Sequence, residues 1–227
     1  MNITPPPRGA QRRFDLIVFD WDGTLFDSTM LIVRCIQAGC RDIGVPPPSD
    51  KDAAYVIGLG LHDALQHAVP GLPPARYPEL GQAYRQRYWA SQHELVLFPG
   101  TLQMLQALKD RQHLLAVATG KNRRGLNDAL AHSQLNGMFD GSRTADETAG
   151  KPNPLMLQEL MAEFDVKPQR TLMIGDTTHD LLMASNAGTP RVGVSYGAHH
   201  HETFEAHQPL FVAHSTAELH SWLVDNA

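Results

Sequence analysis

Cysteine is scarce in this chain. Two occur among 227 residues, Cys35 and Cys40. Five positions apart on an expected helix, they fall on roughly different faces, so a bridge between them is awkward. Two thiols are also too few for the disulfide framework of a small secreted domain. The expected compartment is reducing, hence cytoplasmic. Equally missing is any run near the ~20 apolar residues that cross a membrane. The proline-rich start, Met1 to Arg13, has no apolar stretch of the signal-peptide kind and is expected to be a disordered leader. Excess positive charge is missing as well: 19 Lys and Arg stand against 24 Asp and Glu, a formal net charge of -5. Non-specific nucleic-acid binding needs a basic surface, so no nucleic-acid partner is expected. A small anionic substrate stays compatible, because a metal ion and one or two cations reverse the field locally. No internal repeat and no heptad pattern is present.

What the chain does contain is a set of short, nearly continuous apolar runs. Phe14 to Asp20 (FDLIVFD), Leu114 to Ala118 (LLAVA) and Thr171 to Ile174 (TLMI) suit strands buried on both faces of a parallel sheet. Arg191 to Val194 is a weaker candidate. Between them lie helical spacings over Thr101 to Arg111, Leu155 to Phe164 and Leu181 to Ala187. Alternating strands and helices imply right-handed βαβ units, hence an α/β fold with an open parallel sheet flanked by helices. The rhythm breaks between Ser28 and about Val96. Ser28 and then Ser49 or Asp50 are placed to cap helices, and Ala64 to Ala68 and Ala75 to Ser91 continue the helical pattern. The expected organisation is a core of residues 14–27 and 97–227, interrupted by an all-helical insertion at 28–96. Leu210 to Leu223 is expected to add a last strand and helix.

Four segments carry chemistry, and each is expected to fall where a strand ends. Ligands of open parallel sheets bind at the carboxyl ends of the strands. The first segment is Asp20-Trp21-Asp22-Gly23-Thr24-Leu25-Phe26-Asp27-Ser28, two carboxylates leaving a buried strand with a glycine to turn the chain. The second is Thr119-Gly120-Lys121-Asn122, where a hydroxyl and backbone N–H groups before a helix can hold a phosphate oxygen. The third is Gly150-Lys151-Pro152, a lysine whose neighbours restrict its backbone. The fourth is Gly175-Asp176-Thr177-Thr178-His179-Asp180. Acids clustered in this way need a counter-ion, and hard oxygen ligands favour Mg²⁺. Taken singly, each segment also has a plain reading: a solvated turn, a helix cap, a loop lysine.

In order and spacing the four segments resemble the haloacid dehalogenase (HAD) superfamily of aspartate-nucleophile phosphotransferases, over roughly Phe14 to Gly188. Among its branches the chain most resembles phosphoglycolate phosphatase-like proteins, through DGTLFDS, FPG, GKPNP and GDTTHD. Trp21 stands where relatives commonly carry an aliphatic residue. The resemblance implies a Rossmann-like core with a small α-helical cap inserted after the first strand. It implies a Mg²⁺-dependent phosphatase acting on a small phosphorylated metabolite, with 2-phosphoglycolate as one candidate. Asp20 would be the nucleophile that becomes an aspartyl-phosphate, and Asp22 the acid and base. Thr119, Gly120 and Lys151 would bind the phosphoryl group. Mg²⁺ would be held by the Asp20 carboxylate, the Asp22 backbone carbonyl and Asp176, with Asp180 as ligand or holder of metal-bound water. Sugar phosphomutase chemistry on the same aspartates, and a catalytically silent binding protein, are the alternatives. Asp22 argues against dehalogenation, whose leaving halide needs no proton. A Schiff-base phosphonatase would need a cap lysine, and Lys51 alone stands there, outside that motif.

Some residues invite a role without earning one. The run His199-His200-His201 reads as a solvated loop. His179, between two acids, is expected to face away from them. Arg123 and Arg124 read as a solvated helix start as readily as phosphate ligands. The segment Gly58 to His62 is balanced between a plain turn and a loop reaching over the site.

Overall fold

The computed structural model describes residues 12–227, so the expected leader falls outside the described residues except for Arg12 and Arg13. The centre of the molecule is β1 (Leu16–Phe19), every residue of which is buried. Successive side chains of a strand point to opposite faces, and here both faces are covered. Leu16 and Val18 pack with Met156, Leu157 and Leu160 of α7 (Leu155–Phe164) and Met183 of α8 (Thr178–Ala187). Ile17 and Phe19 pack with Met104 and Leu105 of α5 (Thr101–Asp110) and Leu219 and Leu223 of α9 (Thr216–Asn226). A run apolar at every position is what such a strand requires.

The other strands follow. β4 (Leu114–Thr119) and β6 (Thr171–Gly175) flank β1; β5 (Gly141–Thr144) lies outside β4, and β7 (Arg191–Val194) and β8 (Val212–Ala213) lie outside β6. The sheet order is β5-β4-β1-β6-β7-β8, with every pair parallel. The chain builds outward from β1 on one side, then returns to build on the other. Its carboxyl edge beside β1 is therefore a topological switch point, where such sheets bind ligands. The expected open parallel α/β sheet is present. Within this sheet one strand was not expected: β5 reads Gly-Ser-Arg-Thr, and as an edge strand it is only partly buried. An edge need not be apolar, so hydrophobic patterning does not reveal it.

Between the short antiparallel pair β2 (Phe26–Asp27) and β3 (Val96–Leu97) the chain is helical. α1 (Thr29–Asp42), α2 (Asp50–Tyr55), α3 (Leu61–Ala68) and α4 (Tyr77–Ser91) close around their own core of Ile32, Ile36, Ala53, Leu65 and Leu80. Ser49 caps α2 by accepting from the Asp52 N–H. Ser28 precedes α1 but does not cap it; its hydroxyl donates to Asp22 instead, at 2.9 Å. Cys35 and Cys40 are free and buried on α1, and burial pushes both thiols up, Cys35 to about 11. Among the described residues, no helix is long and apolar enough to cross a membrane.

Candidate active site

Three of the four chemical segments converge at the carboxyl ends of β1 and β6. Asp20 directly follows β1, and Asp176 directly follows β6. Asp180 belongs to the first turn of α8, where it forms a capping box with Thr177: its Oδ2 accepts from the Thr177 hydroxyl at 2.6 Å and N–H at 3.2 Å. Thr177, rather than Asp176, is thus the cap of this helix, which leaves Asp176 for the site. One oxygen from each of Asp20, Asp176 and Asp180 lies within 4.8 Å of the others, and all three residues are buried. Lys151 comes in from the loop before α7. Its ammonium donates to Asp20 Oδ1 and sits 2.7 Å from Asp180 Oδ1. The expected aimed cation therefore meets the nucleophile candidate.

Asp176 is held from two sides. Its Oδ1 accepts from the Thr24 hydroxyl at 2.9 Å, and its Oδ2 from the Ala198 N–H at 2.7 Å. Gly23, at φ 81°, makes this approach possible: a Cβ there would stand 2.2 Å from Asp176 Oδ2. Three carboxylates and one ammonium leave the cluster short of positive charge. Burial, and the charges of Asp20 and Asp180, raise the Asp176 carboxyl well above its ordinary range. Burial also raises Asp20, against the pull of Lys151 and with the push of Asp180. Asp20 Oδ2 is buried and finds no hydrogen-bond partner among the described residues. An unsatisfied oxygen in an acid cluster is where a hard cation belongs, and oxygen-only donors fit Mg²⁺. The side chain of Asp22 lies outside this cluster, so only its backbone carbonyl stays compatible with a metal role.

Asp22 faces a different environment. Its Oδ1 accepts from Ser28 and its Oδ2 pairs with Lys121 at 2.9 Å. Thr119, at the end of β4, is buried, and its oxygen accepts from the Lys121 N–H at 3.2 Å. Asp20, Asp22, Thr119 and Gly120 open on a cavity of about 490 Å³, whose opposite wall includes Leu59, His62 and Tyr88 from the helical insertion. The segment Gly58 to His62, a loop that runs into the first turn of α3, thus lies over the site. It lies so close that a Cβ on Gly120 would stand 2.4 Å from the Leu59 carbonyl oxygen.

The histidine run departs from expectation at one position. His200 and His201 are exposed, but His199 is buried. Its Nδ1 accepts from the Thr178 N–H at 3.0 Å, so its Nε2 carries the proton that it donates to the Tyr55 carbonyl at 2.9 Å. His179 does face away from the acids, and its Nε2 lies 2.8 Å from the same Tyr55 carbonyl. The two imidazoles clasp the end of α2, with Tyr55 stacked on His199 at 5.2 Å. Loop position hides this burial in sequence. Arg123 turns to Glu147 and Ser142, whereas Arg124 lines the cavity and covers the Trp89 ring at 5.3 Å. Trp21 packs in the core against Phe26. Site residues without an expected role are Thr24, Ser28, Lys121 and Tyr88. The first three stand inside or beside the segments singled out above, but which carboxylate each one meets is not a sequence property.

A parallel sheet with a buried cluster of three carboxylates and a lysine at its switch point, facing a helical insertion, has the residue types of a carboxylate-based hydrolase. The family model for haloacid dehalogenase-like hydrolases matches residues 17–194. The chain is 30% identical to a phosphoglycolate phosphatase of Vibrio vulnificus over 92% of its own length and 96% of that protein's. It is 31% identical to a 5'-nucleotidase of Pseudomonas aeruginosa, over 93% and 96%. A hydrolase from Pseudomonas syringae shares the fold with a TM-score of 0.85, at 22% identity, over 94% of this chain and 99% of that one. The chain belongs to the haloacid dehalogenase-like hydrolases, and within them it is an enzyme of the phosphatase type.

Proposed function

We propose that this chain hydrolyses a phosphate monoester of a small metabolite with the help of Mg²⁺, through a phosphoryl group carried on Asp20. The observation that carries this reading is the buried Asp20, Asp176 and Asp180 cluster, faced by Lys151, with one Asp20 oxygen unpartnered among the described residues. Asp20 attacks phosphorus, which splits a difficult hydrolysis into two easier displacements. Asp22 gives its proton to the leaving oxygen and then takes one from the attacking water, a contribution of roughly 10²–10⁴-fold. Lys151 neutralises charge on the phosphoryl group and keeps Asp20 ionised among acids. The Thr119 hydroxyl and the backbone N–H groups beside Gly120 hold a phosphoryl oxygen. Asp20, Asp176 and the Asp22 carbonyl would hold Mg²⁺, with Asp180 as a further holder. Bound there, the metal supplies positive charge against the transferring phosphoryl group. The helical insertion excludes water over the leaving group, and its side chains select the substrate, for which 2-phosphoglycolate is the first candidate.

The test is release of inorganic phosphate from 2-phosphoglycolate, nucleotides and sugar phosphates, with and without Mg²⁺, for the wild type and Asp20→Asn. Release that needs Mg²⁺ and is lost in the folded variant is the expected result. Near-normal turnover by a variant checked by mass for deamidation would remove Asp20 as nucleophile. Isomerised sugar phosphate in place of free phosphate would mean a mutase. A melting temperature unmoved by Mg²⁺, with no release from any ester, would mean a silent binder.

A further inference from the structure

The core sets two lysines against the carboxylates of the site, one buried and one half-buried, and the reading above uses only the first. The other is Lys121. Its ammonium lies 2.9 Å from Asp22 Oδ2 and 2.8 Å from the hydroxyl of Tyr88, and stands 4.8 Å from the centre of the Tyr88 ring. The carboxylate and the hydroxyl take two of the three ammonium donors. Tyr88 belongs to α4 of the helical insertion and stacks on Tyr84 at 5.9 Å. The Lys121 backbone is fixed from the core side, its N–H donating to Thr119 Oγ1 and its carbonyl accepting from the Ala145 N–H at 3.0 Å. Asp22 is therefore held at both oxygens, by Ser28 on one and by Lys121 on the other.

Burial opposes the charge on Lys121, but Asp22 and the two tyrosines outweigh it and raise its pKa. An acid–base group contributes only where its carboxyl oxygen meets the leaving oxygen, and misplacement of about 1 Å can cost roughly 10²-fold.

We propose that Lys121 is a positioning residue that links the seating of the helical insertion, through Tyr88, to the placement of Asp22. This rests on the phosphatase reading, in which Asp22 is the acid. With α4 seated, Tyr88 accepts a second ammonium hydrogen bond and Lys121 fixes Asp22 toward the leaving group. With α4 lifted, Lys121 loses the hydroxyl and the ring, and Asp22 loses a rigid neighbour. The first step then becomes dependent on the substrate: a poor alkoxide leaving group needs its proton delivered, and a good phenolate does not.

The experiment compares kcat/KM for an alkyl phosphate and for 4-nitrophenyl phosphate in wild type, Lys121→Met and Tyr88→Phe. This ratio reports only steps through loss of the leaving group, so the shared second step does not enter. Lys121→Met is expected to lose about 10- to 100-fold on the alkyl ester and several times less on 4-nitrophenyl phosphate. Tyr88→Phe keeps the ring and the Asp22 pair, and is expected to show the same bias at about 3- to 10-fold. Lys121→Arg, which keeps the charge, should recover part of the alkyl-ester loss. Equal losses on both esters would overturn the proposal, since a phosphoryl-binding or purely structural lysine would act on both alike. A loss confined to esters bearing a second anion would overturn it too, by making Lys121 a substrate ligand. Should Lys121→Met not fold, Tyr88→Phe carries the test alone, and an unbiased Tyr88→Phe would overturn the link. A wild type inactive on every ester would instead remove the phosphatase reading beneath it.

Discussion

The ends of β1 and β6 and the seam between core and helical insertion hold the same kinds of residue in different ways. At the strand ends, Asp20 and Asp176 leave adjacent strands whose registers are locked by ladder bonds, and Lys151 bridges Asp20 and Asp180. At the seam, α2 is clasped by two histidines on one carbonyl, α4 is met by Lys121 and Arg124, and the loop at Leu59 lies against Gly120. The first arrangement is rigid because the whole sheet would have to move to change it. The second consists of a few side-chain contacts, each of modest net strength. In the proposed reading the nucleophile and the metal ligands sit on the first, access and selection sit on the second, and Asp22 stands between them.

Substitutions can break this contrast, and the largest effect belongs to the strand ends. Lys151→Met removes the ammonium and leaves buried carboxylates facing one another. The expected result is a roughly 10²–10³-fold fall in turnover, as for loss of a preorganised cation. A destabilisation of about 3–5 kcal/mol should accompany it, and part of that should return when Mg²⁺ is added. Urea unfolding with and without Mg²⁺ checks both parts; a stability insensitive to Mg²⁺ would deny the cluster its metal.

Gly120→Ala tests the seam from the core side. The new Cβ meets backbone oxygens of Gly58 and Leu59, so the loop must shift. A fall of about 10- to 100-fold in kcat/KM is expected, with a melting temperature close to wild type. A comparable loss of stability instead would mean that the loop supports the fold more than the site. The smallest effect is His199→Ala. It removes one of two donors to the Tyr55 carbonyl and should cost about 1–2 kcal/mol, with a raised KM and little change in kcat. Proteolysis of the α1–α4 segment should quicken in the variant; equal rates would show that His179 alone suffices.

How much of this was legible in the sequence differs between the two regions. Asp20 and Asp176 could be found because strands buried on both faces announce themselves by apolar runs, and residues that follow them must emerge at one sheet edge; Lys151 could be found because its glycine and proline neighbours restrict its backbone. Asp22 was found in the same way, but its partners Ser28 and Lys121 were not. Ser28 reads as a helix cap from its position, and only its orientation makes it a donor to Asp22. His199 reads as a loop residue, and it is buried because α2, more than 140 positions earlier in the chain, packs over it. β5 escaped for the opposite reason: an edge strand is under no demand to be apolar.

The sequence by itself determined the α/β alternation, the helical interruption after the first strand, and the set of carboxylates that one sheet edge gathers. These follow from local periodicity and from where a parallel strand must end. Only the tertiary structure decided which acid meets which cation. Lys151 goes to Asp20 and Asp180, Lys121 goes to Asp22, and Tyr55 and Tyr88 reach the core from the insertion. Such pairings join residues from about 30 to more than 140 positions apart, so they depend on how packed elements sit against one another, which no local pattern encodes.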